Sequence, residues 1–250
     1  MQRYFIDQIA DDKARITGED FHHIVRVMRM KLEDHVYLVT PDEQTAIAEL
    51  IEIGDDFVQF KIVSWKESTS ELPVHITIAS GLPKGDKLEL ITQKGTELGA
   101  KSFLSFPAKR SISKWDSKKA KKKGERLDKI AKEAAEQSHR SVVPTFQHVA
   151  SFQALLDVAR SYDYIVVAYE ESAKEGESSA LATLFDQAKP GESILAIFGP
   201  EGGLATEEIV KLEAVQALKV GLGPRILRTE TAPLYFLAAA SFAFELGKNG

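Results

Sequence analysis

The stretch "GLGPRILRTETAP", residues 221–233, packs two glycines, two prolines and two arginines between a short apolar run at 218–220 and the apolar segment "APLYFLAAASFAFELG". Glycines let a ligand approach the backbone, the prolines stiffen the turn, and Thr231 and Pro233 are expected to open a helix as N-cap and first-turn residue. The same arrangement occurs upstream in "AIFGPEGGLATEE", residues 196–208, where an apolar run ends at Gly199 and passes through Pro200, Glu201, Gly202 and Gly203 into a helical pattern. Two successive strand, glycine-loop and helix units indicate parallel strands joined by right-handed crossovers, whose carboxyl ends share one edge of a sheet. The two loops are therefore expected to wall a single pocket.

The neighbouring sequence continues this rhythm. Strand-like runs "VHITIASGL", "KSFLSFP", "YDYIVVAYE", "SILAIFG" and "LKVGLG" alternate with helical segments near 86–98, 118–139, 151–160, 178–188 and 205–216. Strands this apolar, spaced by helices, predict an α/β fold: a mostly parallel sheet covered on both faces. Up to about residue 67 the pattern is different. "HVYLVT", "TAIAELIEI" and "FVQFKIVSW" are short, turn-separated runs that predict a small antiparallel sheet or barrel, with one helix near 19–30. The polar "KESTSELP" at 66–73 is the linker candidate, which divides the chain into domains 1–70 and 73–250.

Composition narrows the chemistry. The 250 residues contain no cysteine, which excludes disulfides and thiolate metal sites, and the six histidines show no ligand spacing, so no metal is expected. No uncharged apolar run approaches the ~20 residues that span a bilayer, and "MQRYFIDQIADDKARI" has no signal-peptide character, so no membrane association and a cytoplasmic location are expected. The net charge of −5 conceals a strong asymmetry: 109–132 carries eleven basic residues against Asp116, Glu125 and Asp128, a local +8 that leaves −13 elsewhere. Such a patch is an electrostatic footprint for nucleic acid.

The glycine loops also exclude ligands. A GxGxxG dinucleotide fingerprint fails at Ile226, Pro224 stands where a phosphate would sit, and no GxxxxGK[ST] loop exists. An adenosine without a pyrophosphate fits better, its edge read by backbone groups and its ring held among Leu222, Ile226 and Leu227.

At this point "FGPEGGLATEE" followed by "LGPRILRTETA" resembles the paired signature of the RsmE family, the 16S ribosomal RNA uridine-N3 methyltransferases of the SPOUT superfamily. "MQRYFI", "HHIVRVMRMKLEDHV", "GLPKGDKLELITQKGTELG" and "AAEQSHRSVVP" are similar to the family's other motifs in the same order, so the likeness covers nearly the whole chain. The resemblance implies S-adenosyl-L-methionine as methyl donor, a C-terminal SPOUT domain with a deep trefoil knot, an N-terminal PUA-like β-barrel that holds RNA, and a homodimer with the cofactor site at its interface. It implies 16S rRNA of the small ribosomal subunit as partner. The cofactor-binding candidates are then Tyr169, Ile197, Gly199, Pro200, Glu201, Gly202, Gly203, Gly221, Leu222, Gly223, Ile226, Leu227, Thr229, Thr231 and Ala232. Two departures stand out. Leu204 and Ala205 replace an aromatic-Ser/Thr pair, leaving Thr206 to cap the next helix, and Glu33 stands where the family usually has glycine.

For RNA, His22, Arg26 and Arg29 fall at i, i+4 and i+7, a cationic stripe on the predicted helix, with Phe21, Ile24 and Met28 on its other face. Arg3, Arg110, Gln137 and Arg140 complete the RNA-binding candidates, since arginine grips phosphate bidentately. For chemistry, N3 of uridine becomes a good nucleophile only as its proton leaves, and it lies on the pairing edge, so the base must be extruded. Arg228 is the candidate to stabilise the charge developing on O2 or O4, and Glu230 or Glu201 the candidate base or base-orienting group. Helix capping is the alternative role for both glutamates. Alternative functions are a ribose 2′-O-methyltransferase using the same loops, a non-catalytic RNA-binding or ribosome-assembly factor, and a nicotinamide-dependent oxidoreductase, which the absent fingerprint opposes.

Overall fold

The computed structural model describes residues 1–66, 70–169 and 180–247. The centre of the expected linker (67–69), Glu170 at the end of one expected strand and residues 178–179 at the start of one expected helix lie outside them. The chain divides into two compact units, Met1–Glu71 with Ala135–Val142, and Leu72–Ala134 with Val143–Gly250. Segment 135–142, which the sequence boundaries assign to the C-terminal domain, thus groups with the N-terminal one.

The first unit is a five-stranded sheet in the order β1-β3-β4-β5-β2, formed by β1 (Arg3–Phe5), β2 (Lys13–Thr17), β3 (His35–Val39), β4 (Thr45–Ile53) and β5 (Phe57–Lys66). Only β1 and β3 run parallel. Two register shifts between β4 and β5, at Ile47/Ala48 and Leu50/Glu52, curl the sheet around Tyr4, Ile16, Leu38, Leu50 and Phe60. Helix α1 (Gly18–His22) runs into a π-helical turn, His23–Val27, that buries Ile24. The expected helix near 19–30 therefore stops early. Glu33, at the position where the resemblance expects glycine, has φ 73°, in the left-handed region that glycine adopts freely.

The second unit holds a six-stranded sheet, β11-β9-β10-β6-β7-β8, in which every pairing is parallel. Its strands are β6 (His75–Gly81), β7 (Ser102–Phe106), β8 (Thr145–His148), β9 (Tyr164–Ala168), β10 (Ser193–Phe198) and β11 (Leu218–Val220). Its helices are α2 (Lys87–Glu97), α3 (Ser117–Gln137, of which 135–137 group with the first unit), α4 (Phe152–Ala159), α5 (Ala180–Gln187), α6 (Thr206–Ala214) and α7 (Thr231–Ser241), the last continued by a π-turn, Phe242–Leu246. Alternate residues of β10 serve two cores. Ile194, Ala196 and Phe198 join Leu88 and Ile91 of α2 and Phe236 and Leu237 of α7, whereas Leu195 and Ile197 join Leu155 of α4 and Leu212 of α6. Burial on both faces is why these strands read as unbroken apolar runs.

Two expected caps are corrected. Thr231 is the first residue of α7, not its N-cap, and the Arg228 carbonyl accepts the Thr231 and Ala232 N–H groups at 2.8 and 3.0 Å. Thr206 likewise begins α6. There Glu208 reaches back to accept the Ala205 N–H at 2.8 Å, the half of a capping box that the third helical residue supplies, while alanine at the cap leaves out the half a Ser/Thr hydroxyl would supply.

Arg3 and Arg140, both expected to grip RNA, are 5 % and 2 % exposed inside the first unit. The Arg140 Nε donates to both Glu71 carboxylate oxygens at 2.9 Å, and Arg3 donates to the Arg140 carbonyl at 2.8 Å and to Thr45 Oγ1 at 3.3 Å. Arg140 is thus paired with a fixed carboxylate, and Arg3 is held through Nη1 while its Nε is buried without an acceptor; both guanidiniums are enclosed by protein and turned away from phosphate. Removing the carboxylate with Glu71→Ala is expected to lower unfolding free energy by about 3–5 kcal/mol, because it leaves a buried cation uncompensated, read as a fall in the chemical-denaturation midpoint.

Candidate active site

The parallel sheet brings the residues that follow β9, β10 and β11, three adjacent strands, to one edge. They enclose a cleft of about 390 Å³. Its wall from β10 is Phe198 through Leu204, its wall from β11 is Leu222, Gly223, Arg225, Ile226, Leu227 and Thr229, and Ala168, Tyr169, Thr206, Ala232 and Arg110 complete it. The loop after β10 is tightly folded. A Cβ on Gly199 would lie 2.9 Å from the Gly203 carbonyl carbon and the Leu204 nitrogen, and Gly203 itself has φ 67°. The backbone, rather than side chains, therefore forms this wall. Arg110 braces it by donating from Nη1 to the Gly202 carbonyl at 3.0 Å.

Three cofactor candidates are not on the wall. Ile197 is fully buried in the core, Gly221 follows β11 just before the wall begins, and Thr231 starts α7. Arg110, assigned to RNA, sits in the cleft instead. Sequence reasoning passed over Ala168, Phe198, Leu204, Thr206 and Arg225 as cleft residues: Ala168 and Phe198 are the ordinary apolar ends of β9 and β10, and Leu204 and Thr206 were read only for helix capping. Arg228 is exposed beside the cleft and does not line it. Among the remaining RNA candidates His22, Arg26 and Gln137 are exposed, while Arg29 lies past the π-turn at φ 51°. The wider turn ends the helical spacing there, so the expected three-residue stripe reduces to His22 and Arg26.

Both catalytic glutamate candidates are tied to one group the sequence reading did not single out. Lys87, the first residue of α2, places Nζ 3.1 Å from Glu201 Oε1 and 3.2 Å from Glu230 Oε2. Glu201 Oε1 also accepts the Lys84 N–H at 3.0 Å. Glu230 Oε2 is buried and has no well-directed hydrogen bond, so its tie to Lys87 is chiefly charge attraction. Burial pushes the Glu201 carboxyl up, but hydrogen bonds from Lys84, from its own backbone and from Lys87 outweigh burial and hold it below the usual range. Glu230 is lowered by its own backbone N–H, against burial, with further help from Lys87 and Arg228. Hydrogen bonding to Glu201 raises Lys87 against burial. The cluster is thus fully ionised at neutral pH with net charge −1 and pins both glycine loops to the start of α2. The clue available in sequence was that the loop after β6 must reach the same sheet edge.

Lys87→Met is expected to speed amide hydrogen exchange across 199–205 and 226–232, with Lys87→Arg keeping protection. Because the two carboxyls are depressed, their contribution is complete above about pH 4.3, the ordinary glutamate value, and is lost as pH falls through their lower folded values, so wild-type protection should be flat through neutrality and collapse only in acid.

Among the described residues no helix is long and apolar enough to cross a membrane, and no group of three or more His, Asp or Glu could hold a metal ion. Residues 70–241 match the RNA methyltransferase domain family, and residues 16–63 match the RNA methyltransferase PUA domain. The chain is 52 % identical to ribosomal RNA small subunit methyltransferase E of Bacillus subtilis, over 98 % of each. The fold is similar to that of the Neisseria gonorrhoeae ribosomal RNA small subunit methyltransferase E bound to S-adenosyl methionine, with TM-score 0.84, 25 % identity and 98 % of each chain covered. It is also similar to a Legionella pneumophila methyltransferase with bound SAM, with TM-score 0.81, 26 % identity and 96 % and 97 % covered. With a glycine-walled cleft at the parallel-sheet edge and a relative this similar end to end, the chain belongs to the ribosomal RNA small subunit methyltransferase E family.

Proposed function

We propose that the protein transfers a methyl group from S-adenosyl-L-methionine to N3 of a uridine in 16S rRNA. The observation that carries this reading is the wall of the cleft: close-approach backbone at Gly199–Gly203 facing apolar Leu222, Ile226 and Leu227, in a space of about 390 Å³. This suits an adenosyl group, which needs backbone acceptors and flat apolar contact and no phosphate cradle. S-adenosylmethionine supplies an electrophilic methyl group.

The chain's own residues align and desolvate the acceptor. Arg228, exposed at the cleft mouth, offers a guanidinium to the charge that spreads onto O2 and O4 as N3 loses its proton. Glu201 and Glu230, ionised and paired with Lys87, are weak bases in this setting and orient the two loops; the N3 proton passes to bulk water as the N–CH3 bond forms and the S–CH3 bond breaks, leaving neutral S-adenosylhomocysteine. Arg110 holds the glycine loop from the side. On RNA, His22 and Arg26 of the first unit and the exposed lysines of α3 are the phosphate contacts in this reading.

The exposed apolar residues Ile226, Tyr235, Phe242 and Leu246, from 41 % to 77 % exposed, support a homodimer that covers them and closes the cleft at Ile226. The knot of the family and a cytoplasmic location belong to the same reading.

The test is to incubate purified protein and S-adenosylmethionine with small subunits lacking the modification, then digest the RNA and identify nucleosides by mass spectrometry. 3-Methyluridine is expected. 2′-O-methylation would overturn the acceptor, and no methylation of a competent substrate would favour an assembly factor. Arg228→Ala is expected to lower kcat by about 10²-fold with S-adenosylmethionine affinity unchanged. Unaltered turnover at unaltered affinity would remove Arg228 from the mechanism.

A further inference from the structure

The second unit has a smaller concavity, about 140 Å³, that the proposed chemistry does not use. Leu88 of α2 and Leu127 of α3 line its apolar interior, and Trp115 forms one side. The indole is held from behind, with its ring 6.3 Å from Phe146 and 5.3 Å from His148, and it is only partly buried. Lys119 and Lys123, one helical turn apart on α3, stand at the rim. Glu89 is the one acid of the lining. It accepts Lys123 at 3.4 Å and Arg126 at 2.7 Å, which fixes these cations in place and leaves Lys119 as the lining ammonium without an acid partner among these contacts. Lys119 Nζ donates to the Lys114 carbonyl at 3.3 Å. Exposed Lys118, Lys121 and Lys122 extend the positive potential along the same helix.

Position gives the slot its meaning. Pro83 and Gly85 form its wall, and the adjoining Lys84 and Lys87 bind Glu201 of the large cleft. One short loop thus separates the two cavities. A pre-positioned indole with a flat apolar floor and ammonium groups at its mouth is the arrangement that takes a base by stacking and its phosphate by charge. A volume of 140 Å³ admits one base and excludes a pair.

We propose that this slot binds an unpaired nucleotide of the substrate RNA flanking the methylated one, with its base against Trp115 and its phosphate at Lys119. The inference rests on the RNA-methylation reading above. An acceptor base must leave its helix to react, and a neighbour held in a second pocket keeps the strand open at the cleft.

The experiment measures the affinity of the full-length protein for small subunits lacking the modification, by filter retention, and for S-adenosylmethionine, by calorimetry. Trp115→Leu and Lys119→Glu are each expected to weaken subunit binding about tenfold with S-adenosylmethionine affinity unchanged, and Trp115→Phe to keep most of the binding. Lys119→Glu should also flatten the salt dependence of binding. Subunit affinity equal to wild type in both variants would overturn the proposal. Should Trp115→Leu lose S-adenosylmethionine binding through misfolding, Lys119→Glu is judged against Lys121→Glu, an exposed lysine of the same helix outside the slot lining, and an equal loss in the two would overturn the proposal. Failure of the wild type to methylate these subunits would sink the methyltransferase reading, while the binding comparison would still judge the slot.

Discussion

The loop after β10 exists because nothing occupies the place of a side chain at Gly199. A Cβ there would fall 2.9 Å from backbone atoms of Gly203 and Leu204, and a Cβ on Gly81, at the end of the neighbouring strand, would fall 2.6 Å from the Pro200 ring. Main chain packed this closely cannot yield as a flexible side chain can. The constraint folds residues 199–204 back on the sheet edge, turns their backbone toward the cleft and frees room for the loop after β11 to close the other side.

Bare backbone does not hold itself in place against water, and the charge cluster supplies what the glycines lack. Lys87 draws the glutamates of both loops to the start of α2, and Arg110 braces the Gly202 carbonyl from the chain following β7. Groups from four strand ends therefore converge on one rigid rim. A preorganised rim matters for methyl transfer, in which little covalent work falls to the protein and alignment with exclusion of water supplies much of the rate.

Much of the architecture was legible along the chain. β6, β7 and β10 announced themselves because burial on both faces removes the polar alternation of a half-exposed strand. β1, with three residues, and β8, with four, are too short to carry a period, and β2 alternates over only five. The π-turn at His23–Val27 was invisible because one inserted residue leaves composition unchanged while moving Arg29 off the helix face. The glycine loops were readable as a pocket. Lys87 was not, since its role depends on two glutamates distant in sequence.

The sequence by itself determined that the second unit is a parallel sheet with two glycine loops at one edge, because local apolar runs and residues without a Cβ act on their own neighbourhood. Which charged residues work at the surface was decided only by tertiary structure. Arg140 and Arg110 look alike in sequence as cations beside polar neighbours, yet one is 2 % exposed against Glu71, 69 positions away, and the other reaches across 92 positions to a cleft carbonyl. A charge takes its role from the partner and the dielectric around it, and the fold brings both from far along the chain.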